Sequence, residues 1–127
     1  MLLSRELPDY SYSLRSADGH QARVNDQVLT RSFVLAPDKL VEDWPVPSIA
    51  ALTPEHLTVA LEQEPELVIL ATGERQVFPS AAVMAACLTR GIGIEVMNNA
   101  SAARTYNVLA SENRRVVMAF ILEDVAH

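Results

Sequence analysis

Leu67-Val68-Ile69-Leu70-Ala71 is an apolar run without a single polar interruption. A strand wetted on one face alternates apolar and polar residues, whereas a strand covered on both faces has no such need. The run therefore predicts a central strand with helices packed over it, which points to the α/β class.

The flanking sequence supplies those helices. Upstream, Thr53-Pro54-Glu55 offers a hydroxyl cap, a proline at the first helical position and an early carboxylate, with Leu57, Ala60 and Leu61 as the apolar face. Downstream, Ser80 is placed to cap a second helix with a Val83, Met84, Cys87, Leu88 stripe, closed by Arg90 and Gly91. Residues Ile92 to Val96 form the next strand, Ala100 to Ser111 a third helix, and Val116 to Leu122 the last strand after a turn at Asn113. The order from residue 53 is α-β-α-β-α-β, which implies parallel strands joined by right-handed crossovers.

The N-terminal third reads differently. From Tyr10 to Arg15 polar and apolar residues alternate, Asp18-Gly19 offers positive φ angles for a tight turn, and Gln21 to Val24 can pair back. A second turn at Asn25-Asp26 leads into Val28 to Leu35, giving an antiparallel meander. Pro37, Pro45, Pro47 and Pro54 then mark a connecting loop, in which Trp44 is expected to anchor on the core. The chain, 1–127, is read as a single α/β domain with a mixed, mostly parallel central sheet, flanking helices and the meander.

With half its 127 residues hydrophobic and a fifth charged, the chain has ordinary globular composition. A net charge of −6, with Lys39 the only lysine among ten basic residues, disfavours nucleic acid as a partner. Arg104, Arg114 and Arg115 are the local cationic group that an anion or an acidic partner surface would meet. Cys87 stands alone, so no intramolecular disulfide forms, and a cytoplasmic location is expected. The opening Met1 to Glu6 resembles neither a secretory leader nor a transit peptide, and no run is long enough to insert in a membrane.

Ligands of open α/β sheets bind beyond the carboxyl ends of parallel strands. Two such ends are Thr72-Gly73-Glu74-Arg75 and Met97-Asn98-Asn99, the latter leading into a helix that carries Arg104, Tyr106 and Asn107. Thr72, Gly73, Met97, Asn98, Asn99, Arg104, Tyr106 and Asn107 form the candidate binding surface, provided the two strands are neighbours. Ala100, Arg104, Asn107 and Ser111 share one helix face, while Ala102, Tyr106 and Leu109 share another that can cover the sheet. Gly91-Ile92-Gly93 lies between a helix and a strand, the reverse of a dinucleotide fingerprint. His20, His56 and His127 lack ligand spacing, so neither metal nor cofactor is expected.

Three segments, Ala71-Thr72-Gly73, Arg90 to Met97 and Ala103 to Leu109, resemble the domain family of small bacterial and archaeal proteins related to mitochondrial complex I assembly factor three. Ser32-Phe33-Val34-Leu35 and Asp43-Trp44 agree with it in the N-terminal half. The resemblance implies a three-layer α/β fold with a mixed sheet, no established catalytic activity, and kinship to scaffolds of respiratory complex I assembly. The expectation is a non-catalytic binding protein with a protein partner, respiratory-complex subunits among the candidates. The competing reading is a small-molecule binder or enzyme on the same rim, with Arg104 holding an anion and Glu95 or Tyr106 transferring a proton.

Overall fold

The computed structural model describes residues 12–123. Tyr10 and Ser11, read above as the start of the first strand, and His127 lie outside the described residues. Three short strands, β1 (Leu14–Ala17), β2 (Ala22–Val24) and β3 (Gln27–Leu29), form an antiparallel meander. The turn at Asn25-Asp26 holds Asn25 at φ 53°.

The first hairpin turn is built otherwise than its Asp-Gly pair suggests. Positive φ occurs elsewhere but not at Gly19; instead Asp18 Oδ1 accepts the backbone N–H groups of His20 (2.8 Å) and Gln21 (2.9 Å). Space favours glycine at position 19, since a Cβ there would lie 3.0 Å from Cβ and 3.2 Å from N of Glu74, which would have to give way.

The run Val28 to Leu35 does not form one strand. It breaks after β3 and resumes as β4 (Phe33–Ala36), which leaves the meander and pairs with β5 (Lys39–Val41) inside the proline-punctuated segment. β4 is buried at all four positions, and Phe33 stacks on Phe120 of the neighbouring strand with ring centroids 4.9 Å apart. Burial of both faces favours this central site over an edge position in the meander.

The main sheet has the order β5-β4-β8-β6-β7, where β6 is Leu67–Ala71, β7 is Gly93–Met97 and β8 is Val116–Phe120. β8, β6 and β7 run parallel, and β4 and β5 complete the sheet in antiparallel fashion. The apolar run at 67–71 is thus central, as its composition requires.

Alternate residues of each inner strand enter different cores. Ile69, Ala71, Met118, Phe120, Phe33 and Leu35 pack under the meander and α3 (Asn99–Ser111). Val68, Leu70, Val117, Ala119 and Val34 pack under the opposite layer, built from a 3-10 turn (Pro54–Leu57), α1 (Thr58–Leu61) and α2 (Ala81–Leu88). The result is three layers with the mixed sheet in the middle.

Local signals explain the helix limits. The Thr53 N–H donates to Nδ1 of His56 at 3.0 Å, and Ser80 Oγ accepts the N–H of Val83. α1 ends after one turn because Glu64 takes φ 57° and Pro65 follows. Within the α2 stripe Val83 and Cys87 are buried, but Leu88 is exposed, so the buried face is narrower than the spacing suggested. Trp44 is buried, and its Nε1–H donates to the carbonyl of His56 at 2.9 Å, tying the loop to the helical layer.

Candidate functional site

Because β6 and β7 are parallel neighbours in register, Ala71 lies beside Met97 and the segments that follow them emerge together. The Thr72 N–H donates to the Met97 carbonyl at 2.9 Å, and the Asn99 N–H to the Gly73 carbonyl at 2.8 Å. The two loops named from sequence therefore share one rim.

The rim is closed by its own polar groups. Asn99 is fully buried; its Oδ1 accepts the Gly73 N–H at 2.8 Å, while Nδ2 donates to the carbonyls of Asp18 and Ile121, each at 2.8 Å. A single amide thus joins the meander, the end of β6 and the end of β8. Thr72 Oγ1 donates to the Arg75 carbonyl at 2.6 Å and accepts the Val77 N–H at 3.1 Å, folding the loop back on itself. Gln76, across the edge of the sheet, donates from Nε2 to the Val96 carbonyl at 2.7 Å.

Gly73 has φ 112°, a backbone region open essentially to glycine. Met97 is half-buried against the meander-side core. Asn98 caps α3, its Oδ1 accepting the Ser101 N–H at 2.9 Å. Tyr106 is buried, with its hydroxyl 3.5 Å from the Tyr12 carbonyl. Asn107 clamps β1 to α3: its Oδ1 accepts the Leu14 N–H at 3.0 Å and its Nδ2 donates to the Leu14 carbonyl at 2.5 Å.

Of the eight named residues, Arg104 alone has an exposed side chain, contacting Ser101 Oγ at 3.2 Å. Arg114 and Arg115, grouped with it in the sequence, are engaged elsewhere: Arg114 with Glu66 at 3.3 Å, Arg115 with Asp38 at 3.1 Å and the Gln63 carbonyl at 2.7 Å. Glu95 is exposed on β7, an edge strand.

Residue 15 was missed by the sequence reading. Between the pairs Leu14–Val24 and Ser16–Arg23, β1 carries one residue more than β2, so Arg15 is a bulge residue. It lines a cleft of about 290 Å³ with Ser16, Ala100, Ala103, Arg104 and Asn107. No sequence pattern marks it, because the cleft exists only once β1 packs on α3.

Residues 14–121 match the family described as protein of unknown function DUF498/DUF598. The chain belongs to that family. Related members include a 13 kDa major membrane protein of Francisella tularensis, 31% identical over 89 residues, covering 70% of this chain and 68% of the relative. NADH dehydrogenase [ubiquinone] 1 alpha subcomplex assembly factor 3 of Bos taurus is 32% identical over 125 residues, covering 94% of this chain and 65% of the relative. Its Danio rerio counterpart is 31% identical, covering 88% and 62%. The chain thus spans less than two thirds of these vertebrate assembly factors.

Solved structures similar to this chain agree with the fold. The NMR structure of a Xanthomonas campestris protein, 59% identical, superposes with a TM-score of 0.84 over 100% of this chain and 96% of that one. A Bordetella pertussis protein described as a Mth938-like domain, 27% identical, has a TM-score of 0.80 over 99% of this chain and 95% of its own. Among the described residues, no helix is long and apolar enough to cross a membrane.

Proposed function

We propose that this protein is a non-catalytic binding protein with an assembly-factor-like role, engaging subunits of a larger complex as a scaffold in the cytoplasm. The observation that carries the reading is its 31–32% identity to proteins named as complex I assembly factors, across 88–94% of the chain. Respiratory-complex subunits are the partner class that those names suggest. The Francisella relative's name, a membrane protein, fits a partner at a membrane surface.

The rim adds support of a different kind. General acid–base chemistry needs a side chain within reach of a substrate proton. Here Asn99 and Tyr106 are buried, and the Thr72 hydroxyl is bonded within its own loop. Such groups hold a surface in shape, and what remains exposed for a partner is the helix face with Arg104 together with the loop from Glu74 to Phe78 and the edge residue Glu95.

The reading is tested by affinity capture from solubilised membranes and cytosol of the native host, with quantitative mass spectrometry of wild type against Arg104→Ala. Enrichment of a defined set of respiratory-complex subunits, reduced in the variant, is expected. Absence of any specific subunit at repeated capture under crosslinking would remove the scaffold reading.

A further inference from the structure

The cleft between β1 and α3 presents two arginines that make no ion pair among the described residues, unlike the Arg114–Arg115 cleft, whose arginines face Glu66 and Asp38. Two arginines, Arg15 and Arg104, line it from different elements, and no carboxylate is among its lining residues. Neither arginine takes part in an ion pair among the described residues, whereas Arg31, Arg114 and Arg115 each face a carboxylate. In a chain of net charge −6, two arginines lining one cleft would be stabilised by an acidic neighbour, yet the lining residues include none.

The backbone that carries Arg15 is tied to α3. Asn107 bonds both backbone groups of Leu14, so the residue just before the bulge is pinned to α3 one turn beyond Arg104. The small side chains of Ala100 and Ala103 leave the floor of the cleft open. Arginine forks match the planar oxygens of a carboxylate, the group that this lining lacks.

We infer that the Arg15–Arg104 cleft receives acidic side chains of a protein partner. The inference rests on the scaffold reading and names the surface that reading uses. Three properties favour this occupant over a free metabolite. The cleft, about 290 Å³, is at the lower end of small-molecule pockets, and it is open, so a free ligand would stay largely hydrated. The protein's overall negative charge penalises a multiply charged small anion more than single carboxylates presented on a partner surface. Recognition of acidic motifs by clustered arginines needs no enclosed cavity.

The test uses the whole chain, isotope-labelled for NMR. The probes are a capped pentapeptide carrying two glutamates, its glutamine counterpart, inorganic phosphate and citrate, each titrated at low and high salt. Saturable amide shifts confined to residues 14–17 and 100–107 are expected with the glutamate peptide. They should weaken about tenfold in Arg15→Ala or Arg104→Ala, as expected for losing a charged hydrogen bond, and stay unchanged in Arg90→Ala on the opposite layer. Both arginines are exposed, so the variants should retain the wild-type spectrum elsewhere.

No localised shifts with the glutamate peptide, or equal shifts with the glutamine peptide, would overturn the proposal. Stronger binding of phosphate or citrate at the same amides would overturn the acidic-segment assignment in favour of a small-anion site. Host capture separates the two readings. Subunits retained equally by wild type and Arg15→Ala/Arg104→Ala would sink the cleft and keep the scaffold. Peptide binding at the cleft with no subunit captured would do the reverse.

Discussion

Gly73 and Asn99 are joined by two reciprocal hydrogen bonds, the Asn99 N–H to the Gly73 carbonyl and the Gly73 N–H to Asn99 Oδ1, both at 2.8 Å. The pair acts as one extra rung beyond the ends of β6 and β7. Through Nδ2 the same amide reaches Asp18 and Ile121, so a single buried side chain satisfies backbone groups of three segments.

Replacing Asn99 with alanine leaves the Gly73 N–H and the Ile121 carbonyl buried without this partner, and the Asp18 carbonyl part-buried. At about 1–3 kcal/mol for an unsatisfied buried group, a total loss of about 3 kcal/mol or more is expected in urea unfolding. Asn99→Asp should be worse, because it removes both donors and sets a carboxylate against two carbonyl oxygens. A loss under about 1 kcal/mol for either variant would mean that water replaces the amide and the hub is not structural.

Gly73→Ala tests the backbone. With φ at 112° an alanine is strained by about 1–3 kcal/mol, yet its Cβ would meet only the Glu123 carboxyl at an ordinary 3.6 Å. The penalty is therefore conformational, and adding Glu123→Ala should not restore stability. Rescue by that second change would show that steric contact is responsible.

Asn107→Ala frees β1 from α3. Loss of two part-buried amide bonds should cost about 1–3 kcal/mol, and hydrogen exchange should accelerate most at residues 14–17. Exchange rising uniformly over the chain instead would show that β1 is not held by this clamp.

Trp44 reports on the loop that it anchors. Being the sole tryptophan and only 4% exposed, it should fluoresce to the blue of free indole, shifting red on unfolding in step with circular dichroism. Trp44→Phe removes the bond to the His56 carbonyl and should cost about 1 kcal/mol, measured by the shift in unfolding midpoint. A water-like emission maximum in the native protein would contradict the anchoring.

His20 and Asp18 give the hairpin opposite pH responses. The hydrogen bond from Nδ1 to the Glu123 carbonyl raises the His20 pKa above 6.5, with Glu74 and Asp18 adding to it. Its contribution to stability is full below the ordinary histidine value and fades as pH rises through the raised one. Backbone donors at His20, then Gln21, lower the Asp18 pKa below 3.8; that contribution holds above 3.8 and is lost as pH falls through the lowered value. NMR titration of both side chains checks the directions, and a His20 midpoint below 6.5 would contradict the bond to Glu123.

Much of the fold was legible because helices and buried strands are specified locally. The apolar run at 67–71, the cap at Ser80, and Gly91 with φ 73° at the end of α2 each act over a few residues. The reading failed where a local signal had two outcomes. Asp18-Gly19 fits a tight turn with positive φ as well as the observed one, and the close approach of Glu74 is what favours glycine there. The run 28–35 has the composition of one strand, yet its second half reaches a central position beside β8, where both its faces are buried.

By itself, the order of apolar runs, caps and breakers determined the α-β alternation and so placed residues 72–75 and 97–107 at strand ends, since these signals depend on neighbours in the chain. Tertiary structure alone decided what those residues touch. It turned Asn99 inward to serve three backbone segments, and it set Arg15 across from Arg104 in sequence-distant elements, because side-chain partners follow from packing and from the need to satisfy buried polar groups.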